Sequence, residues 1–328
     1  MQTLTWLDGQ LPYERAREVL AELSQVQVST SSNWRISQRW GAEIREVLGR
    51  EETQMKAEAR EWSTPGGPPE PQQRMGVAMD GAMMHIREEG WKEFKVGTVY
   101  DVERREHRDP QTGDRGMYGH AVHQSYAAHL GGPETFGWQM WTEAARRGLA
   151  RACDSQVIGD GAAWIWNLQQ EHFHSSVPIV DWYHATENLA KAQQVLYPEE
   201  GVAGTRWFNA QKERLYQGHA DAIARSLETR AAQQSDPERA TALRTTAGYF
   251  KHNRDRMQYQ DYRIEGWPIG SGMVESEAKQ CKARVTGPGM RWSREGAYNI
   301  LAICTATLTS RDRFDHLWTT AYANSPPS

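Results

Sequence analysis

The chain has 328 residues and a mass of 37.4 kDa, more than one ordinary domain needs, so we expect two or three structural units and a core large enough for an enzyme site. The hydrophobic share of 38% becomes about 43% when glycine replaces tyrosine in the count, close to the globular range of roughly 45–50%, which excludes long disorder as the default. The net charge of −4 excludes the overall basic balance typical of nucleic-acid-binding proteins, and 14 tryptophans are unusually many.

The cysteines and the hydropathy pattern indicate the compartment. Cys153, Cys281 and Cys304 are odd in number and contain no C-x-x-C pair, which excludes a disulfide framework and a cysteine-rich zinc module and favours a reducing compartment. No apolar run approaches the ~18–20 residues that span a bilayer, and no signal-peptide pattern opens the chain. We therefore expect a soluble, cytoplasmic protein with no membrane partner.

Residues 1–63 are predicted to be a helical N-terminal region. Two apolar stripes at helical spacing flank a polar turn at 29–33. The stripes are Ala16, Val19, Leu20 and Leu23, then Trp40, Ile44, Val47 and Leu48. Such a pair of helices either enters a DNA groove or packs on the main body or a second subunit; the second alternative is favoured. Four prolines with Gly66 and Gly67 mark a linker at 64–72.

The stretch 73–185 is predicted to be the first part of a catalytic core. Its pattern changes to that of strands and then alternates strand and helix, which favours an α/β sheet. The predicted strands are 74–86, 94–104, 119–129, 156–159 and 177–180, and the predicted helices are 134–149 and 164–173.

The remaining chain divides into three predicted parts. Residues 186–266 contain helix formers and no strand pattern, and their length exceeds what a connection requires, so they are predicted to be an inserted helical domain. Residues 267–310 open with a Pro-Gly turn and continue into a helix that carries Glu275, forming the second part of the core. Residues 311–328 are predicted to be a C-terminal tail.

Three acids stand at the predicted ends of elements. Asp80 and Asp160 each follow an apolar segment and precede a glycine, and Glu275 lies in the first turn of its helix. Strand-end acids of an α/β sheet converge on one crevice, where three carboxylates would repel one another without a cation. Mg²⁺ takes such ligands and suits phosphodiester chemistry. An Asp-Gly pair alone is equally expected in a plain turn.

Two further groups of polar residues accompany these acids. Asp181 and His184 follow a predicted strand; a zinc site with His172 or His174 is one interpretation, but a hydrogen-bonded orienting pair is favoured. Lys279 and Lys282 share a helix face with Glu275 and suit DNA phosphates, as an alternative to a solvated ion-pair face. Arg284, Arg291 and Arg294 extend this basic stretch. Residues 241–296 contain ten Lys/Arg against six Asp/Glu, so the average charge conceals a basic stripe.

Several blocks of this sequence resemble bacterial insertion-sequence transposases of the ISKra type. The resemblance covers roughly 75–310, and the combination of GSGxVES with GM-x-W is its specific part. The blocks are VAMDGAMM (77–84), WKEFKVG (91–97), IGDGAAWIW (158–166), DWYHATENL (181–189) and WPIGSGMVESEAKQCKARVTGPGMRWS (267–293). The resemblance implies an α/β fold: a ribonuclease H-like mixed sheet flanked by helices, interrupted by an all-helical insertion domain and preceded by a helical region.

The resemblance also implies a function and its residues. Asp80, Asp160 and Glu275 match the DDE triad that binds Mg²⁺, with Mn²⁺ as a substitute, and Asp181 to His184 match the C/D-x-x-H signature of the Mutator-like group. The implied enzyme hydrolyses DNA at element ends and transfers the strands to target DNA, working as a homodimer or larger assembly in the synaptic complex. The implied partners are the terminal inverted repeats and target DNA, and the implied location is nucleoid-associated cytoplasm.

Two other functions stay open at the sequence level. Relatives of this type have a longer, Cys-bearing N-terminal region and an arginine where Cys304 stands, so a truncated, catalytically inactive DNA-binding protein is the main alternative. A carbohydrate-active enzyme would use the tryptophans as sugar platforms and two carboxylates for catalysis. It leaves the Glu275 block and the lysine helix unexplained.

Overall fold

The computed structural model describes residues 1–61, 70–109, 111–199, 201–270 and 272–325, with backbone alone at 59–61, 70–72 and 272–278. Within these residues the chain forms thirteen α-helices and five β-strands. The strands are β1 (Glu70–Ile86), β2 (Gly90–Arg108), β3 (Arg115–Leu130), β4 (Ala152–Gly159) and β5 (Val177–Val180). The helices are α1 (Gln2–Gln10), α2 (Tyr13–Ser24), α3 (Thr30–Glu61), α4 (Pro133–Arg146), α5 (Ala163–His172), α6 (Trp182–Leu196), α7 (Val202–Tyr216), α8 (Ala220–Ala232), α9 (Pro237–Asn253), α10 (Tyr259–Glu265), α11 (Gly272–Thr286), α12 (Arg294–Thr309) and α13 (Arg311–Asn324).

The five strands form one mixed sheet in the order β3-β2-β1-β4-β5. The neighbours β1 and β2, and β2 and β3, are antiparallel, whereas β4 runs parallel to both β1 and β5. The predicted strands and the helices between them correspond to these elements, with β1 to β3 longer than expected and β4 beginning at Ala152, before the predicted start at 156. β2 and β3 lengthen because their antiparallel pairing continues to Arg108 opposite Arg115, whereas β1 gains its first residues from parallel pairing with β4.

The two edges of this sheet are protected in different ways. β5 is an edge strand of only four residues. Along β3, the other edge strand, the Tyr126 amide donates to the Thr309 hydroxyl of α12 at 3.0 Å. A bulge also interrupts the β2–β3 register near Asp101, where His123 adopts φ of 51°, an uncommon conformation for a residue with a side chain.

Helices flank the sheet and bury two hydrophobic clusters. The first core joins one set of strand residues, including Met75 and Val157, to α4 to α10. The second core joins Met84, Ile86 and Phe94 to side chains of α3, α11, α12 and α13. None of the described helices combines the length and apolar character that a bilayer crossing demands.

The N-terminal helices pack on the main body, as the favoured alternative expects. The stripe Trp40, Ile44 and Val47 of α3 is buried in the second core, and the Trp40 and Trp318 rings lie 4.1 Å apart. α3 begins at Thr30, inside the expected polar turn. The predicted linker is described only from Glu70 onward, where β1 begins; residues 62–69 lie outside the described part.

The C-terminal segment is not a tail, contrary to expectation. Residues 311–324 form α13, and Phe314, Leu317, Trp318 and Ala321 are buried. Their i, i+3, i+4, i+7 spacing is that of an amphipathic helix. α13 packs on α3, and Arg313 donates to both carboxylate oxygens of Glu51. The prediction gave too much weight to the chain end and too little to this spacing.

Candidate active site

Three aspartates lie side by side where the parallel pairing of three adjacent strands ends. The β1–β4 register ends at Met79 opposite Gly159, and the β4–β5 register ends at Gly159 opposite Val180. Asp80, Asp160 and Asp181 each come one residue later. Neighbouring strands are about 4.8 Å apart, so the sheet itself brings the three acids together.

Asp80 differs from expectation in its local structure. The chain does not turn after this acid, because β1 continues to Ile86 with Asp80 opposite Val96 of β2. The Asp80 carboxylate accepts the Gly81 amide at 2.7 Å through Oδ1 and forms an ion pair with the Lys282 ammonium through Oδ2. The side chain is 30% exposed, so solvent reaches this carboxylate.

Asp160 does stand before a sharp turn, as predicted. Gly161 has φ of 105°, a conformation that favours glycine, and a Cβ there would lie 2.7 Å from the Tyr249 ring. The carboxylate accepts the Ala162 amide at 2.7 Å, and the Tyr249 hydroxyl donates to the Asp160 carbonyl at 2.9 Å. Burial raises the pKa of Asp160, and the nearby charges of Asp80 and Asp181 raise it further. The acids therefore repel one another.

Asp181 and His184 form the orienting pair that the sequence favours. Asp181 caps α6, accepting the amides of Tyr183 and His184 at 2.8 and 3.0 Å, and its carboxylate lies 3.3 Å from His184 Nδ1. This hydrogen bond raises the pKa of His184 to about 9, with smaller contributions from Asp80 and Asp160. The Asp181 side chain is only 2% exposed. Its carboxylate is therefore held inside the protein by the start of α6 and by His184.

Helix α11 adds a lysine to this cluster. Lys282 lies seven residues after Glu275, so the two positions share a face of the helix. The Trp182 amide donates to the Ile269 carbonyl at 2.9 Å, which places the segment before α11 beside the start of α6. The side chain of Glu275 lies outside the described residues. Among those that are described, no three His, Cys, Asp or Glu side chains are close enough to hold a metal ion.

The predicted DNA-binding residues separate into different environments. Lys279 and Arg291 are exposed, whereas Lys282 is engaged by Asp80. Arg284 is only 3% exposed, and its Nε donates to the Asp8 carbonyl of α1 at 2.6 Å. Arg284 therefore lies outside the exposed stripe, because helical periodicity turns it away from Lys282 toward the second core; its role as a DNA-binding residue stays a prediction.

Two contacts of the site have no signal in the sequence. Tyr249 lies 89 residues after Asp160, and the Asp80–Lys282 pair spans 202 residues. Both depend on how the helices after β5 and α11 fold back on the sheet. The resulting site places the carboxylates of Asp80 and Asp160 near one ammonium and the Asp181–His184 pair, so it contains groups that attract cations and groups that attract phosphate oxygens.

Comparison with known protein families finds no match for this chain, and comparison with curated proteins finds no significantly similar sequence.

Proposed function

We propose that this protein is a DNA transposase of the DDE type that cleaves phosphodiester bonds at the ends of an insertion sequence and transfers the strands to target DNA. The observation that carries the proposal is the placement of Asp80 and Asp160 on adjacent parallel strands, where the charge of one raises the pKa of the other. Two neighbouring carboxylates repel each other, and a bound cation would remove this repulsion. The pair is therefore suited to a cation site.

The donor chemistry of the cluster fits magnesium. Asp80 and Asp160 supply the hard oxygen ligands that this ion prefers, and Glu275 is the proposed third ligand. When bound, divalent magnesium ions activate an attacking oxygen and stabilise the leaving oxygen at phosphorus. The Lys282 ammonium pairs with Asp80, and a bound magnesium ion would compete with it for this carboxylate.

The remaining groups would orient and neutralise the DNA. With a pKa of about 9, His184 is cationic at neutral pH, and Asp181 fixes the direction of its ring. A fixed imidazolium beside the carboxylates suits one phosphate oxygen of a bound strand. Lys279 and Arg291 are exposed and would contact the DNA backbone on either side.

The architecture supports the finer part of the fold proposal. Three antiparallel strands followed by two parallel ones, with the acids at β1 and β4, suit a ribonuclease H-like core. Helices α6 to α10 lie between β5 and α11, where the proposed insertion domain belongs. A dimer that holds two DNA ends, and a nucleoid-associated location, follow from the proposed reaction.

The test is metal-dependent DNA cleavage. We expect wild-type protein to nick labelled DNA that carries candidate inverted repeats when Mg²⁺ or Mn²⁺ is present. The substitutions Asp80→Asn and Asp160→Asn should each reduce the rate of nicking about 10²-fold or more. Asp261→Asn, on an exposed position of α10, is the matched control and should nick normally. Equal nicking by Asp80→Asn would remove the assignment. DNA binding by wild type without any nicking would support the inactive DNA-binding protein instead.

A further inference from the structure

A pocket lies on the side of α11 that faces the N-terminal helices. It has a volume of about 320 Å³, at the small end of ligand pockets and enough for one planar ring system with its substituents. Three arginines and three aromatic residues form most of its wall: Arg87, Arg284, Arg291, Tyr13, Trp34 and Trp292. Among the described residues that line it there is no aspartate or glutamate. We name it the Trp34 pocket.

Arg284 gives the Trp34 pocket a buried positive charge. Its guanidinium carbon lies 4.8 Å from the Tyr13 ring centre and 5.5 Å from that of Trp292. Its Nε donates to the Asp8 carbonyl, whereas its Nη2 is buried and has no hydrogen-bond partner among the described residues. An unused guanidinium donor in the wall of a cavity is costly unless a ligand supplies the acceptor. The pocket therefore suits an anion or a carbonyl oxygen.

The aromatic wall gives the pocket a surface for a planar ligand. Trp34 is 47% exposed and belongs to no hydrophobic core, so part of its indole ring is accessible to a ligand. Trp292 is only 7% exposed, and its indole nitrogen donates to the Val285 carbonyl at 2.8 Å. One tryptophan is thus fixed and the other accessible. Arginine planes and aromatic faces together are the chemistry with which proteins hold single nucleotides.

The Trp34 pocket is joined directly to the acid cluster. The Arg87 amide donates to the Trp292 carbonyl at 2.8 Å, and Arg87 directly follows Ile86, the last residue of β1. From Asp80 to Ile86 the strand spans about 20 Å. On α11, Arg284 follows Lys282 by two residues. A DNA strand that reached both the acids and the pocket would span this distance with a few nucleotides.

We propose that the Trp34 pocket holds one unpaired nucleotide of the DNA strand, with its base on the Trp34 ring and its phosphate or base acceptor on Arg284 and Arg291. The DNA identity of the ligand rests on the proposed function; the nucleotide chemistry rests on the pocket. Since the pocket accepts a single ring system, duplex DNA would enter only where a base leaves the stack. The GM-x-W motif thereby gains a role in strand recognition.

The experiment measures binding without cleavage, by fluorescence anisotropy of a labelled single-stranded oligonucleotide in the presence of a chelator. Trp34→Ala should weaken binding about 5- to 150-fold, the effect of losing one stacked base. Trp34→Phe should retain most of the affinity. Trp91→Ala removes a tryptophan that is 62% exposed on β2 and should change nothing. Equal binding by Trp34→Ala and wild type would overturn the proposal.

Two further measurements complete the test: substitution of Arg291 and competition with a free nucleotide. Arg291→Ala should weaken binding and reduce its salt dependence by one phosphate contact, whereas Arg214→Ala, on an exposed position of α7, should not. If a free deoxynucleoside monophosphate displaces the strand at equal concentration, the pocket is one for free nucleotides and the DNA-strand proposal is wrong. Metal-dependent nicking that Trp34→Ala leaves intact would overturn the pocket and keep the proposed enzyme. Strand binding that depends on Trp34, without any nicking by wild type, would keep the pocket and remove the proposed enzyme.

Discussion

At the scale of single residues, the ion pair with Lys282 occupies the Asp80 carboxylate that is proposed to bind a metal ion. Both side chains are about one-quarter to one-third exposed, so the pair is only moderately shielded from water. Such a pair is worth about 1 kcal/mol or less. A divalent ion at Asp80 would therefore displace Lys282 at little cost and release it toward a DNA phosphate.

Replacing Lys282 tests this competition. In Lys282→Gln, we expect a lower melting temperature in chelator, because Asp80 and Asp160 lose a compensating charge, and a larger rise on adding Mn²⁺ than in wild type. The apparent affinity for Mn²⁺ should increase up to about 5-fold. Differential scanning fluorimetry across a Mn²⁺ titration measures both. Lys251→Gln, which breaks the exposed pair with Glu228 at 3.0 Å, is the control. Unchanged Mn²⁺ affinity in Lys282→Gln would contradict the competition.

His184 makes stability depend on pH in a defined window. Its pKa is about 9 in the folded chain and about 6.5 unfolded, so its contribution is complete below pH 6.5 and is lost as the pH rises through 9. The side chain is 30% exposed, and we expect this contribution to be about 1–3 kcal/mol. Urea unfolding at several pH values should show His184→Gln with a flatter decline between pH 6.5 and 9. An unchanged pH profile would show that Asp181 does not hold a charged imidazole.

At the scale of elements, one face of α3 is part of the second core. Its apolar stripe faces α12 and α13, and α1 holds Arg284 of α11 through the Asp8 carbonyl. The same α1 residue accepts hydrogen bonds from Asn33 and Ser37 of α3, and burial raises the pKa of Asp8 to about 6. The N-terminal helices thus brace the helix that carries Glu275.

Ile44→Ala tests the packing of α3. Ile44 is fully buried, so truncation should cost about 2–5 kcal/mol of unfolding free energy. Glu46→Ala, on an exposed position of the same helix, should stay within about 0.5 kcal/mol of wild type. The measurement is urea unfolding followed by tryptophan fluorescence. If Ile44→Ala unfolded with the wild-type midpoint, α3 would not belong to the second core.

At the scale of the whole molecule, local patterns predict the strands and helices well, because hydrophobic period is a property of neighbouring residues. The same holds for Asp160 and Asp181, which directly follow short apolar strands. The predictions that fail concern contacts between residues that are far apart in the sequence. Arg284 shares a basic stretch with Lys282 in sequence, but the meeting of α11 with α1 buries it. Likewise, only the fold brings Tyr249 to Asp160.

The same dependence explains the error at the C-terminal segment. α13 has a clear apolar period, but its significance appears only when Trp318 meets Trp40 from the other end of the chain. The domain boundaries proposed from the sequence remain predictions. The second core shows that residues from 1–63 and 311–328 share one hydrophobic cluster with the sheet.

The short edge strand β5 and the contact of β3 with α12 affect how readily this protein pairs with other copies of itself. An open strand edge is a template for pairing with another copy of the same chain. Here one edge offers only the four residues of β5, and the other has its Tyr126 amide occupied by Thr309. Both features reduce the length of open strand edge that another copy of this chain could pair with.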